Sequence, residues 1–465
     1  MHSGQKNSSK KSRLYTNPGV LIIAFNSMAV SIAFGIIQPS LAFYLLALEG
    51  AITEPPGPGY TIPEEAVASF AVVLGIMMAA FMGTRTLLAR FWGDLSDVRG
   101  RKPIIVVGLF GYVILMALWG MARSWIELVL VRGLHGVVSA AVWPVGEAAL
   151  IDIIGEKRRG EGMGLYIMAT QIGWISGPGL GGLLYNFCRD SLKLLVPDVF
   201  RVPYFIAALI ILPMPLLTIK FLKESVKRRI IHSPITNKAI SGKDDGIIPS
   251  TLDVPSQNSK MTKMTRTLYV MNFMNGLSMG LAMPLFQLFV MSKITSDIAT
   301  IGFMITGAGS IGLLMNLPAG WLSDRYGRKP LALWSGVLSR GCMAGLPLTK
   351  TVPQTSLIYI GRSAAFAVSQ PVMSAIQGDI VPPRIRGKVF GTIQAFFNGG
   401  ATLGPIMGGW IFSKTSLLSW KIRQMTLEGI VTPFWIGAVL GLVGLVLFAK
   451  NIIETRPSNK SETFR

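Results

Sequence analysis

The chain has 465 residues, of which 51% are hydrophobic and 14% charged, and its formal net charge is +21. A soluble domain carries roughly a quarter charged residues, so this composition excludes one, although the length alone would hold about three soluble domains. Two cysteines, Cys188 and Cys342, exclude a disulfide-stapled class. The basic excess is either a single face for nucleic acid or an asymmetry between loops, and its distribution decides which.

A bilayer-spanning helix needs about 20 mostly apolar residues. Twelve such segments follow in order: 20–46, 66–89, 103–121, 128–151, 162–185, 202–219, 268–291, 298–319, 330–348, 357–378, 389–413 and 433–449. The first 19 residues are polar and basic with no cleavable apolar region behind them, so no signal peptide is expected. With the amino terminus inside, the inner segments hold 31 Lys/Arg against 13 acids, the outer loops 9 against 9, and the spans 4 against 1. That bias predicts a multi-pass protein of the cell membrane with both termini cytoplasmic, and leaves little for nucleic acid to explain. The expected domains are a tail (1–19), a six-helix bundle (20–219), a polar linker (220–267) with Lys227-Arg228-Arg229 and Asp244-Asp245, a second bundle (268–449) and a tail (450–465). The linker reads as a solvated tether, with a lipid-surface role for its basic start as the alternative.

An internal repeat supports the division. Gly93-Asp94-Leu95-Ser96-Asp97-Val98-Arg99-Gly100-Arg101-Lys102-Pro103 after span two recurs 227 positions later as Gly320-Trp321-Leu322-Ser323-Asp324-Arg325-Tyr326-Gly327-Arg328-Lys329-Pro330. The same offset pairs Asp152 with Asp379. It also pairs Gly173, Gly177, Pro178 and Gly181 with Gly400, Gly404, Pro405 and Gly408. Two homologous halves of six spans each share one orientation, which makes them parallel repeats about the membrane normal.

These features resemble the major facilitator superfamily over nearly the whole chain. The G-x-L-S-D-x-x-G-R-K-P motif is the most specific sign. The run Gly173-Trp174-Ile175-Ser176-Gly177-Pro178-Gly179-Leu180-Gly181-Gly182 and the segment Arg132-Gly133-Leu134-His135-Gly136 resemble motifs of the twelve-span drug:proton antiporter branch, the tetracycline-resistance and multidrug exporters. Pro39 and Tyr44 fit that branch's P-x-x-P-x-Y pattern in span one, with Ala42 in place of the second proline. The resemblance implies an all-α membrane fold of twelve helices in two bundles, moving by alternating access. It also implies that Asp97, Arg101 and Asp152 form a charge cluster facing span eleven and latching one state, with Asp324, Arg328 and Asp379 as its repeat. A static anchor is the alternative role. The glycines of spans five and eleven are expected at the interface between halves, where small residues let helices approach closely.

Charges inside spans are costly and usually functional. Glu147 is the only carboxylate well inside a span. It shares a stripe of span four with Arg132, Gly136, Ser139 and Trp143, and a carboxylate held there can bind and release a proton. Glu147 is therefore the expected proton-coupling residue, with a fixed pair to Arg85 as the alternative and His135 as a possible relay. The offset pairs Arg362 with His135, Ser374 with Glu147 and Gly312 with Arg85. Cavity walls are expected from Ser27, Ser31 and Gln38 of span one, Arg132, Ser139 and Trp143 of span four, Asn272, Asn275 and Met279 of span seven, and Arg362 of span ten. Arg340 of span nine reads as a support residue. The excess of arginine over acid within the spans disfavours a cavity built for cations.

The expectation is proton-coupled export of lipophilic or amphipathic small molecules by a monomer. The proton gradient would supply the energy, with neither cofactor nor metal, and the partners would be the substrate, protons and membrane lipids. A lipid or organic-anion carrier or a proton symporter on the same fold is the alternative, and a non-transporting membrane sensor a remote one. No nucleophile motif or metal-ligand spacing points to an enzyme.

Overall fold

The computed structural model describes residues 14–155, 158–224, 259–382, 385–422 and 425–454. Both tails, and the linker with its Lys227-Arg228-Arg229 and Asp244-Asp245 runs, fall largely outside the described residues. Span one is Pro18–Ile37 and Leu41–Leu48, joined by a 3-10 turn at Gln38–Ser40. Spans two to five are Glu64–Arg99, Arg101–Met121, Trp125–Ile154 and Arg159–Asn186. Span six is Asp198–Ile211 continued by Pro213–Phe221, and span seven is Ser259–Lys293. Spans eight to twelve are Ile298–Tyr326, Arg328–Gly345, Val352–Ile380, Arg386–Thr415 and Thr432–Asn451. The two interrupted spans break beside Pro39 and Pro213, which supply no amide to the helical ladder. Several starts are capped as their sequences require: Ser124, Asp297 and Thr351 accept from the amides of Glu127, Thr300 and Gln354.

Eight of the described helices are long and apolar enough to cross a membrane by length and composition. Spans five, nine, ten and eleven fall short because glycine, serine and charge interrupt their apolar runs. Helices also outrun their apolar cores. Span two continues to Arg99 and span eight to Tyr326, so Asp97 lies within the last helical turns rather than beyond them. An antiparallel hairpin, Ser419–Ile422 with Met425–Glu428, departs from the all-helical pattern between spans eleven and twelve.

Packing repeats between the halves. Span one lies on five as seven lies on eleven, two on four as eight on ten, and three on six as nine on twelve. The halves meet where span two packs on eleven and span five on eight. With an even number of spans, both ends of the described chain share one face, called here the terminal face.

The halves close on the opposite, far face. There Lys293 of span seven reaches Glu64 of span two at 2.5 Å and Glu428 of the hairpin at 2.7 Å. Gln287 donates to the Pro39 carbonyl at 2.6 Å, Ser296 to that of Tyr60, and Arg189 lies 3.7 Å from Asp297. Midway, the Thr306 hydroxyl of span eight donates to the Ile175 carbonyl (2.6 Å) and accepts from the Gly179 amide (3.0 Å). It therefore bridges two backbone groups four residues apart, beside Pro178. Toward the terminal face the same four helices part. Side chains built at Gly93, Gly164, Gly320 and Gly391 would meet open space. Among the described residues, the polar contacts between the halves lie midway and at the far face.

Candidate functional site

The terminal-face motif forms as its sequence requires. Gly100 has φ 103° and Gly327 φ 94°, the left-handed region that glycine enters without strain, and each lets a helix end and the next begin at once. Arg101 then folds back. Its Nη2 lies 2.6 Å from Asp97, its Nε 3.3 Å from Asp152, and its Nη1 2.5 Å from the Ser96 hydroxyl. Arg328 pairs with Asp379 in the second half, while the Asp324 side chain is outside the described residues. One partner is absent from the sequence reading. Glu224, just after span six, accepts from the amides of Arg101 (2.9 Å) and Lys102 (3.2 Å), and Glu454 accepts from Arg328 (2.9 Å) and Lys329 (3.0 Å) after span twelve. A carboxylate at these positions complements the exposed amides and dipole of a helix start. Lys102 and Lys329 in turn donate to the Ile219 and Ala449 carbonyls, each at 2.7 Å.

The glycine motifs are placed differently from expectation. Gly173, Gly177 and Gly181 pack on span one of their own half, against Met28, Gly35 and Ile36, and Gly400, Gly404 and Gly408 pack on span seven. Contact with the other half comes from the opposite helix face. Gly182 meets Ala299, the Pro178 carbonyl meets Gly302, the Pro405 carbonyl meets Gly75, and Gly409 meets Ala71. Residues 173 and 182 are nine positions apart, which at 3.6 residues per turn is half a turn from alignment. One motif therefore serves two seams.

Within the first half, Arg132, His135 and Ser139 lie in the bundle interior. The Arg132 guanidinium stands 4.9 Å from the Phe34 ring, 4.6 Å from Phe81 and 5.9 Å from Trp119, so aromatic faces take the place of a counter-ion. His135 lies edge-on to the Phe34, Phe81 and Tyr112 rings, with one nitrogen 3.5 Å from Arg132. Trp143 donates to the Tyr112 hydroxyl at 3.1 Å. Ser27 bonds its own helix at the Ala24 carbonyl, Ser31 is buried without a hydrogen bond, and half-buried Gln38 sits at the turn that Gln287 clasps. Glu147 is separate from this group. It is exposed, with Arg85 of span two and Tyr166 of span five as electrostatic neighbours, and no ion pair joins it to Arg85 among the described residues.

The second half holds a cavity of ≈ 400 Å³ between spans seven, nine, ten and eleven. Asn272, Asn275, Met279 and Arg362 line it, as does Arg340, which sequence alone assigned to support. Arg340 crosses from span nine to donate to Asn275 Oδ1 at 2.6 Å. The structure thus gathers the expected residues of spans seven and ten, and leaves those of span four and span one in the other half.

On the far face, Arg189 donates to Asp190 at 2.7 and 2.9 Å, which holds the Asp190 carboxyl below its ordinary value.

Comparison with known proteins agrees with this architecture. A family model described as "Major Facilitator Superfamily" matches residues 19–247 and 268–465. "Multidrug resistance protein 1" of Bacillus subtilis is 26% identical over 347 residues, covering 73% of this chain and 80% of that protein. "Multidrug resistance protein MdtG" of Proteus mirabilis is 24% identical over 414 residues, covering 88% and 92%. Among solved structures, a bacterial homolog to the human lysosomal transporter Spinster, in an inward-facing and occupied conformation, superposes with a TM-score of 0.67 at 13% identity, covering 95% of this chain and 97% of that one. The motifs, the repeat and the family match together show that the chain belongs to the Major Facilitator Superfamily, as an integral membrane transporter and not an enzyme.

Proposed function

We propose that this chain is a proton-driven exporter of lipophilic or amphipathic small molecules, residing in the cell membrane with both termini cytoplasmic. The charge asymmetry supports the orientation, since the segments on the terminal face carry the excess of Lys and Arg. The terminal face is then the cytoplasmic face, and the structure is an inward-open state ready to load from the cytoplasm or inner leaflet. Similarity to two proteins named for multidrug resistance supports the substrate class.

The observation that carries the reading is Glu147. It stands between spans two and five, the two helices of its half that meet the other half, and it is exposed, with no ion pair among the described residues. A carboxylate so placed takes a proton from whichever side the opening faces. Loading the proton from outside and releasing it inside would drive substrate the other way.

The test is accumulation in proteoliposomes with an imposed pH gradient. One pH unit supplies about 1.4 kcal/mol per proton, enough for about tenfold accumulation. Wild-type protein is expected to accumulate a multidrug-type dye in proportion to the gradient, and Glu147→Gln only to equilibrate it. Gradient-driven accumulation retained in Glu147→Gln would remove Glu147 from the coupling site, and no gradient-dependent flux of any dye, drug or lipid would remove the antiport reading.

A further inference from the structure

We infer that the cavity of the second half is the substrate site for an anionic headgroup, and that the transported class is an amphipathic organic anion. This rests on the transport reading above and narrows it. Arg340 and Arg362, the two arginines inside the apolar segments 330–348 and 357–378, line the same cavity, and no acid lines it among the described residues. Arg362 is only 9% exposed, and its Nε has no hydrogen-bond partner among the described residues. Neither arginine has an ion pair or lies over an aromatic ring among the described residues.

The first half deals with its buried arginine differently. Arg132 is enclosed by three aromatic rings, and Glu147, the carboxylate inside the apolar segment 128–151, occupies the position that the repeat gives to Ser374, itself on the cavity wall. One half therefore carries an acid that faces a proton, and the other carries cations that face a ligand.

Two guanidinium groups sharing a cavity repel, and a buried cation without a partner is costly. A bound carboxylate, sulfonate or phosphate relieves both terms, and arginine's forked donors match such oxyanions in a bidentate way. Asn275 holds Arg340 in place for this through the 2.6 Å bond. The remaining wall carries no charge and mixes Met279, Met343 and Phe366, which can follow a hydrocarbon body, with uncharged polar side chains such as Gln370, Gln377 and Gln394. The volume lies within the usual range for small-molecule sites.

The test is equilibrium binding to the full-length protein in nanodiscs without a pH gradient. Three probes share one apolar body and differ in headgroup: pyrenebutanoate, pyrenebutanol and pyrenebutyl-trimethylammonium. The anion is expected to bind at least about tenfold more tightly than the alcohol, and the cation least. Arg362→Gln and Arg340→Gln are expected to erase the preference for the anion over the alcohol, with Arg362→Lys keeping part of it. A pyrene-labelled phosphatidate in the nanodisc separates a lipid source from a soluble one: competition with pyrenebutanoate assigns the site to lipid headgroups as well, and none restricts it to soluble anions. Equal binding of anion and alcohol by wild-type protein would overturn the proposal, and this comparison needs no variant to fold. An anion preference that survives both glutamine variants would overturn it equally. Loss of gradient-driven flux with the binding preference intact would count against proton coupling alone.

Discussion

At the residue scale, the terminal-face arginines are held by several partners and their carboxylates by few. Asp97 is 61% exposed while Arg101 is 15% exposed and keeps Asp152 and Ser96 besides. An exposed pair of this kind contributes about 0–1 kcal/mol to stability. Asp97→Asn is therefore expected to leave the melting temperature nearly unchanged and to reduce transport by about tenfold if Asp97 latches the alternate state, the equivalent of about 1.4 kcal/mol. Unchanged transport would make the motif an anchor. In the present state Asp97 pairs with Arg101 on its own half, as expected when the terminal face is parted. The far-face pair Arg189–Asp190 does not respond near neutral pH. Hydrogen bonds from Arg189 lower the Asp190 carboxyl, so its contribution is complete above the ordinary carboxylate range and is lost only as pH falls through the lowered value. The charge cluster was legible because its motif resembles that of a known family, and the offset of 227 located its second copy. Glu224 and Glu454 were not, because they are 230 apart and lie in polar segments that no motif distinguishes. The meeting of Arg340 with Arg362 was hidden too, since it depends on how spans nine and ten pack.

At the element scale, the helices that meet between halves carry glycine where backbones touch. Gly75 faces the Pro405 carbonyl, whereas Gly93, eighteen residues along the same helix, faces open space. A side chain at Gly75 must push spans two and eleven apart on the far side, at a cost of about 1–3 kcal/mol. Gly75→Val is therefore expected to raise labelling of a cysteine placed at buried Ser296 by a membrane-impermeant maleimide, and Gly93→Val to leave it unchanged or lower it. Equal labelling in the two variants would contradict the placement of the seam. The spans themselves were readable from hydropathy, including the four whose polar interruptions weaken the signal. Their extensions past the apolar region were not, because a helix that projects into water loses the apolar pattern while keeping its hydrogen bonds. The glycine spacing identified a close-packed face correctly. It could not say which neighbour lay there, since one helix presents small residues on two sides.

At the scale of the whole molecule, two bundles are joined on one face by ion pairs and backbone contacts and separated on the other. The parallel repeat, legible from a single sequence, fixed the number of halves and their common orientation. Which face is closed could not be read from it, because the repeat relates the two halves to each other and does not say at which end they meet. The central claim is that the halves exchange these two arrangements and that the proton on Glu147 sets their ratio. Spin labels at Val98 and Tyr326, exposed residues near the terminal ends of spans two and eight, would report it by pulsed dipolar spectroscopy in a chain with Cys188 and Cys342 replaced. The account predicts two distance populations, the longer corresponding to the present structure, whose ratio shifts with pH and is frozen by Glu147→Gln. A single distance distribution, unchanged by pH and by Glu147→Gln, would contradict it.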